Sequence, residues 1–303
     1  DFEILLKRKP SPVTGSAFDM SKTVPNYGSI LNFTLQKARY SLRGRFSDSD
    51  EQQIISRYIQ ELLPEETPRT VVDIGAGNGV RWSNSYALLL RGWKALGIEA
   101  NSEKYALLSR LYRRFPLARA CQSRANPENI SSLLRDFDVE SNFGVLCLDI
   151  DGNDYWVLET ILSTFRPALV VTEINEKIPP PIRFAVKYDP DFSLRHHFYG
   201  YSIATLADLC ARHRYGILQL EYNNAFMTPL ELSRGKCIDV ETAYAQGYRD
   251  RPNRKSRFPL NFDMEALLSM KPDEGLEFLR QFYSRETGKY YLGLEPDAVP
   301  AKA

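Results

Sequence analysis

Cysteine is scarce in this chain: four in 303 residues, Cys121, Cys147, Cys210 and Cys237, far apart and without a CxxC pair. No disulfide framework is spelled out, and at least two of the four fall in apolar stretches where a thiol serves as a small core residue, so a reducing compartment is expected. Long apolar runs are also missing, none approaching the roughly 18 to 20 residues that cross a bilayer. The opening DFEILLKRKPSP lacks the apolar stretch of a secretory signal. The expectation is a cytoplasmic protein with no membrane partner. The chain begins at Asp1 rather than Met, which leaves open a trimmed or excised origin. There is no charge excess, because 39 basic and 38 acidic residues leave a net charge of +1, so nothing in the total demands a polyanionic partner.

What is present is ordinary globular material. Hydrophobic residues make up 43% and charged residues 25%, which excludes disordered, collagenous and coiled-coil chains. The length suits one large core with appended segments. Residues 1–45, broken by Pro10, Pro12, Pro25 and Gly28, read as an irregular leader with a short helix near 31–40. From Ser47 a Ser/Asp cluster precedes Ile54, Ile55, Tyr58, Ile59, Leu62 and Leu63 at helical spacing, with Pro64 as the stop.

The pattern then alternates. Strands are expected at 70–75, 94–100, 117–122, 144–151 and 168–174, helices at 84–91, 102–115, 155–165 and 203–214, and a final hairpin from 216 onward. Continuous aliphatic runs with helices between them imply a mostly parallel sheet covered on both faces. After about residue 240, YRDRPNRKSRFP reads as a loop, and DMEALLSM and DEGLEFLRQFYSR as two short amphipathic helices. The organisation expected is a leader over 1–45, a catalytic domain over 46–235 and a helical extension over 236–303.

The strongest local signal is VVDIGAGNGV: an apolar strand ends in Asp73 and runs into Gly75, Gly77 and Gly79. Glycines there let the backbone turn sharply and approach a ligand. The next strand ends in Glu99, where a carboxylate can accept hydrogen bonds from both hydroxyls of a ribose. A dinucleotide fold prefers GxGxxG, with a helix start cradling pyrophosphate; here the spacing is GxGxG after an acid. The bland reading is a turn kept for tight strand-to-helix packing.

This acid, glycine turn and second acid resemble the S-adenosylmethionine site of class I methyltransferases. With the flanks VRWSNSYALLLRGWKALGIEAN, LCLDIDGNDYWVLETI and VVTEIN, the text over about residues 45–230 looks like a branch of the FkbM-like methyltransferases. It departs in reading SDSDEQQII where many relatives have a Gly-Glu-Asp run, and EIN where many have EYN. The resemblance implies a Rossmann-like fold, with a mostly parallel seven-stranded sheet, helices on both faces and terminal helical extensions. It also implies S-adenosyl-L-methionine as cofactor, held by Asp73, Gly75, Gly77, Asn78, Gly79, Glu99, Asn101, Asn126 and Asp149. For Asn126 the alternative is a cap on the helix beginning PENISSLL.

A second cluster, LDIDGND, crowds Asp149, Asp151 and Asp154 at a strand end, which is unfavourable unless a cation or basic partner joins them. The following strand ends in Glu173 and Asn175, so a site of Asp149, Asp151, Glu173 and Asn175 is reasonable for Mg²⁺ or another divalent cation that takes oxygen ligands. A turn and helix cap over 151–154 explains the same residues without a metal. Only three histidines exist, and His196 and His197 are adjacent. Neighbours in an extended segment point opposite ways, so His197 is the expected general base and His196 its substitute. Residues 176–201 read as a lid loop whose aromatic residues, Phe184, Tyr188, Phe192, Phe198, Tyr199 and Tyr201, wall an acceptor pocket.

The basic stretches RLYRRFPLAR and YRDRPNRKSR read as solvated faces rather than a nucleic-acid surface. The function expected is O-methylation of a small or carrier-bound metabolite, with a homodimer left open. Two alternatives stand beside it. One is a metal-dependent nucleotide-sugar glycosyltransferase using Asp149 and Asp151 as a DxD string; the other is a non-catalytic binding protein on the same fold.

Overall fold

The structure is a computed structural model and describes residues 30–301, so most of the leader expected over 1–45 lies outside the described residues. Five segments form consecutive parallel strands: β1 (Thr70–Ile74), β2 (Lys94–Glu99), β3 (Ala118–Gln122), β4 (Val145–Leu148) and β5 (Leu169–Glu173). Alternate side chains leave opposite faces of the sheet and build two cores. Val71, Ala95, Val145 and Cys147 meet α1 (Ile30–Arg43), α2 (Glu51–Leu62), α3 (Tyr86–Leu90) and α4 (Ser102–Tyr112). Val72, Ile74, Leu96 and Leu146 meet α5 (Ile130–Asp136), α6 (Asp154–Leu162) and α7 (Ile203–His213).

The stripe of Ile54, Ile55, Tyr58 and Leu62 is what α2 buries. Closing a helix with such a stripe onto a sheet is the main source of its stability, since twelve residues alone are marginal in water.

The sheet has seven strands in the order β3-β2-β1-β4-β5-β8-β7, with β7 at Tyr215–Glu221 and β8 at Asn224–Pro229. The hairpin folds back so that β8 lies antiparallel to both neighbours. Nearly every residue of β8 is buried, whereas β7 exposes part of Gly216 and Gln219, so the more apolar strand takes the inner place. Six co-directional strands and one reversed strand, covered on both faces, make this a Rossmann-like α/β fold. The order reverses between β1 and β4, and in open α/β sheets a crevice for ligands opens at the carboxyl ends of the strands at such a point.

Two expectations change. Residues 176–201 are not a structureless lid, because they contain β6 (Arg183–Val186). The tail is not purely helical, because it contains β9 (Tyr290–Gly293), and the two strands pair antiparallel as a second sheet. A four-residue strand has no period to read, and its partner lies a hundred residues away. Beyond β8 the chain forms α8 (Val240–Tyr244), α9 (Arg254–Arg257) and α10 (Pro272–Phe282). Ile178, Phe184 and Phe198 from the first segment pack with Leu276, Leu279 and Tyr283 from the tail in a third core. The lid and the extension are thus one packed body.

The expected loop YRDRPNRKSRFP contains a π-turn and α9. Its arginines are paired: Arg249 with Asp250, Arg251 with Glu221, Arg254 with Glu265 and Arg257 with Asp48.

Candidate functional site

Gly75 turns the chain out of β1 at φ +87°, and a Cβ there would lie 1.7 Å from the backbone oxygen of Asp149. The N–H of Asp149 in turn donates to the Ile74 carbonyl at 3.0 Å. The tips of β1 and β4 are therefore held together by backbone, with the glycine turn beside the start of the DIDGND segment. Gly77, at φ +57°, has no atom of the described residues within 4 Å of where its Cβ would stand, its chain neighbours aside.

Glu99 at the tip of β2 is buried and binds both loops of the crevice: one oxygen accepts from the Gly77 N–H at 2.8 Å, the other from the Asn101 N–H at 2.7 Å. A carboxylate has about four acceptor positions, so each oxygen keeps a lone pair for a hydroxyl. Asp73 sits beneath the turn, accepting from the Ser85 hydroxyl. Burial pushes its carboxyl up to about 6, the Ser85 bond opposes this, and the charge of Glu99 adds to it. Asn78 closes its own turn by accepting from the Val80 and Arg81 N–H groups, both at 3.0 Å. Asn101 caps α4 through the Lys104 N–H. Asn126 accepts from the Glu128 and Asn129 N–H groups at 3.0 and 2.8 Å, the capping arrangement that its sequence context also suggested.

At the tips of β4 and β5, one carboxylate oxygen each from Asp149, Asp151 and Glu173 lies within 4.8 Å of the others. Asp149 touches solvent, yet protein crowds it; burial pushes its pKa up, and the charges of Asp151 and Asp154 push it further. Burial and then Asp149 push Glu173 well above the usual carboxylate range. One Glu173 oxygen accepts from Asn223 at 2.7 Å, and the other is buried without a hydrogen-bond partner among the described residues. Asp151 stands at φ +57°, a costly conformation for a residue with a Cβ, and such residues cluster at ligand sites.

Asp154 does the work of the turn, accepting from the Ile150 and Gly152 N–H groups at 2.8 and 2.7 Å. The turn reading therefore describes Asp154, while Asp149 faces Glu173 and Asp151 stands beside them. Asn175 has its Oδ1, the atom expected to join the carboxylates, buried with no hydrogen-bond partner among the described residues. Its amide donates to the carbonyls of His197 and Tyr199 at 2.9 and 3.0 Å, anchoring the loop behind the site.

The two histidines do not diverge. His196 adopts φ +39° in a tight turn closed by the Phe198 N–H on the Arg195 carbonyl, and the imidazole rings lie 3.7 Å apart. His196 is exposed. His197 is 4% exposed, with its Nε2 at 2.9 Å from Asp263. Burial, followed by the charge of Lys177, pulls its pKa down to about 4, so it is neutral in ordinary buffers.

The expected acceptor-wall aromatics divide. Phe184, Phe198 and Tyr201 are core, and Tyr188 bonds Glu128. Phe192 lies over the DGND turn, where a Cβ on Gly152 would come within 2.2 Å of its ring. Sequence reasoning passed over the buried pair of Glu176 and Lys177, 3.2 Å apart, which Tyr199 and Asn261 complete. Burial pushes the Glu176 carboxyl up, but Lys177 with Asn261 and Tyr199 outweighs it and holds the group below its usual range. Two charged residues side by side next to a strand end were the available signal. Ser85 and Asp263 had none, since each acts only through a distant partner.

No protein-family profile matches this chain, and no curated protein matches it. Solved structures similar to it include the N-terminal domain of EvdMO1 with SAH bound, at 11% identity over 60% of this chain and 82% of that one, with a TM-score of 0.39. The CcbJ methyltransferase from Streptomyces caelestis aligns at 11% identity over 60% and 90%, TM-score 0.39. An S-adenosylmethionine-dependent methyltransferase from Clostridium acetobutylicum aligns at 11% over 66% and 99%, TM-score 0.39. The strand order and the single reversed strand β8, rather than these distant likenesses, carry the fold assignment.

Proposed function

We propose that the chain is an S-adenosylmethionine-dependent methyltransferase acting on an oxygen of a small or carrier-bound acceptor. The observation that carries this reading is the charge of the crevice. Asp73 and Glu99 flank the glycine turn, Asp149, Asp151 and Glu173 follow, and Lys104 is the cation acting on Asp151. Such a hollow attracts a sulfonium and repels a diphosphate. The helix geometry agrees, because α3 begins at Tyr86, well past Gly79, and no helix start follows directly on the glycine turn to cradle phosphate.

Bound S-adenosylmethionine would supply an electrophilic methyl group on its sulfonium. Glu99 suits the ribose hydroxyls, Gly77 leaves room for the ligand to approach the backbone, and Asp73 stiffens the turn from below. Two carboxylates as close as Asp149 and Glu173 cannot both ionise readily, and burial pushes both up, so at least one of them holds a proton at neutral pH. The other, when ionised, is the group placed to accept a hydroxyl proton from the acceptor. The same three carboxylates are the residues that would hold a divalent cation, and the unpartnered Glu173 oxygen favours that second arrangement.

Calorimetric titration with S-adenosylhomocysteine, and separately with UDP and Mn²⁺, tests the reading. Binding of the first and not the second is expected. UDP binding without S-adenosylhomocysteine binding would return the site to glycosyl transfer. Tight S-adenosylhomocysteine binding with no turnover of any hydroxyl acceptor would favour a binding protein.

A further inference from the structure

We propose that His196, His197 and Asp263 form a binding site for a divalent transition metal, Zn²⁺ by its donor set, that clamps the segment after β6 to the tail. One ligand atom from each of the three lies within 4.8 Å of the others. His197 is 4% exposed, and among the described residues neither its Nε2 nor the buried Asp263 oxygen it faces has a hydrogen-bond partner beyond the contact between them. The two atoms are 2.9 Å apart and face each other, an ion pair only when the imidazole is protonated. Buried polar atoms are nearly always satisfied, and this pair has only its own 2.9 Å contact, which leaves room for a cation beside it to be shared by both atoms.

The arrangement is built from outside the cluster. The His197 carbonyl accepts from Asn175 at 2.9 Å and from the Tyr283 hydroxyl at 2.8 Å, which fixes the backbone of the turn. The left-handed His196 turns its ring toward that of its neighbour instead of away from it. Phe282, 5.7 Å from the His197 ring, makes one wall apolar. The nearby cation Lys177 is neutralised by Glu176 at 3.2 Å and so does not bar a dication.

Two imidazoles and one carboxylate are borderline donors, which select zinc and its neighbours over magnesium, and three protein ligands leave a fourth position for water. Exposure of His196 gives the ion a way in. A metal there would join the loop anchored by Asn175, two residues beyond Glu173, to the Pro259–Ser269 segment, and so stiffen the wall behind the carboxylate site.

The test uses the full chain, stripped by a chelator and dialysed, with Zn²⁺ for stoichiometry and thermal shift and Co²⁺ for its visible ligand-field bands. The expected result is one equivalent bound, bands of four-coordinate intensity, and a rise in melting temperature on adding Zn²⁺. His196→Ala, at an exposed position that does not threaten folding, should lose affinity at least tenfold and abolish the bands, and Asp263→Asn should do the same. Asp149→Asn should leave them intact. Binding by the parent no stronger than by His196→Ala, or bands that survive in His196→Ala and vanish in Asp149→Asn, would overturn the site. Neither readout depends on methyl transfer.

Discussion

Substituting alanine at Gly75 and at Gly77 separates the two jobs of the turn. Both glycines have φ in the left-handed region, where a Cβ costs about 1–2 kcal/mol. At Gly77 that is the whole structural cost, because no atom of the described residues stands within 4 Å of the new methyl, its chain neighbours aside. At Gly75 the methyl would also meet the Asp149 carbonyl at 1.7 Å, a backbone atom that cannot rotate away. The tips of β1 and β4 must part, which adds about 1–3 kcal/mol of overpacking. Gly75→Ala should therefore lose roughly 2–5 kcal/mol, a large share of the 5–15 kcal/mol typical of folded domains.

Urea unfolding measures that difference, and calorimetry with S-adenosylhomocysteine measures the other half. Gly77→Ala should bind weakly while losing only the about 1–2 kcal/mol of its left-handed backbone, and Gly75→Ala should bind weakly and lose more stability than that. A Gly75→Ala midpoint equal to that of the parent, or a Gly77→Ala protein as unstable as Gly75→Ala, would refute the account of the paired strand tips.

Glu99→Gln keeps the bond from one loop but sets an amide NH2 against the N–H of the other, and should weaken S-adenosylhomocysteine about tenfold or more in calorimetry and lower the melting temperature as well. Asp73 and Asp154 have carboxyls raised from 3.8 to about 6 in the folded chain by burial. The native state therefore holds protons that the unfolded chain releases, so this contribution to stability is full below pH 4 and is lost as pH rises through about 6. It amounts to roughly 3 kcal/mol per group at most. Melting temperature should fall between pH 5 and 7.5, and Asp73→Asn should flatten that slope; an unchanged slope would reject the buried acid as its source. Lys177→Met strands Glu176 in the interior and should cost about 3–5 kcal/mol in urea unfolding. Adding Glu176→Gln should recover much of this, which a purely steric role for Lys177 would not allow.

Much of the fold was readable because its signals are local. Apart from β3, whose Arg119 and Gln122 break the pattern, the strands from β1 to β5 are mostly apolar runs, and helices with apolar stripes lie between them, so the alternation shows without any knowledge of pairing. Gly75, Gly77 and Glu99 were readable for the same reason, since a strand end followed by glycines already says where the backbone turns. The second sheet was not readable: Arg183–Val186 is too short to show a period, and its partner Tyr290–Gly293 is remote. The histidine pair was misjudged in direction, because one left-handed residue, His196, reverses what an extended chain would do.

The linear sequence determined the parallel core, the glycine turn and the acids at the strand ends, all properties of residues within a few positions of each other. Tertiary structure alone decided which acids converge and which are consumed. Asp154 closes its own turn, Asp73 is taken by Ser85, and Asn175 holds the His197 loop, while Asp149, Asp151 and Glu173 converge. The physical reason is that a polar side chain's role is set by the partner that satisfies it in the folded state, and for most of these residues that partner lies outside the motif that made them conspicuous.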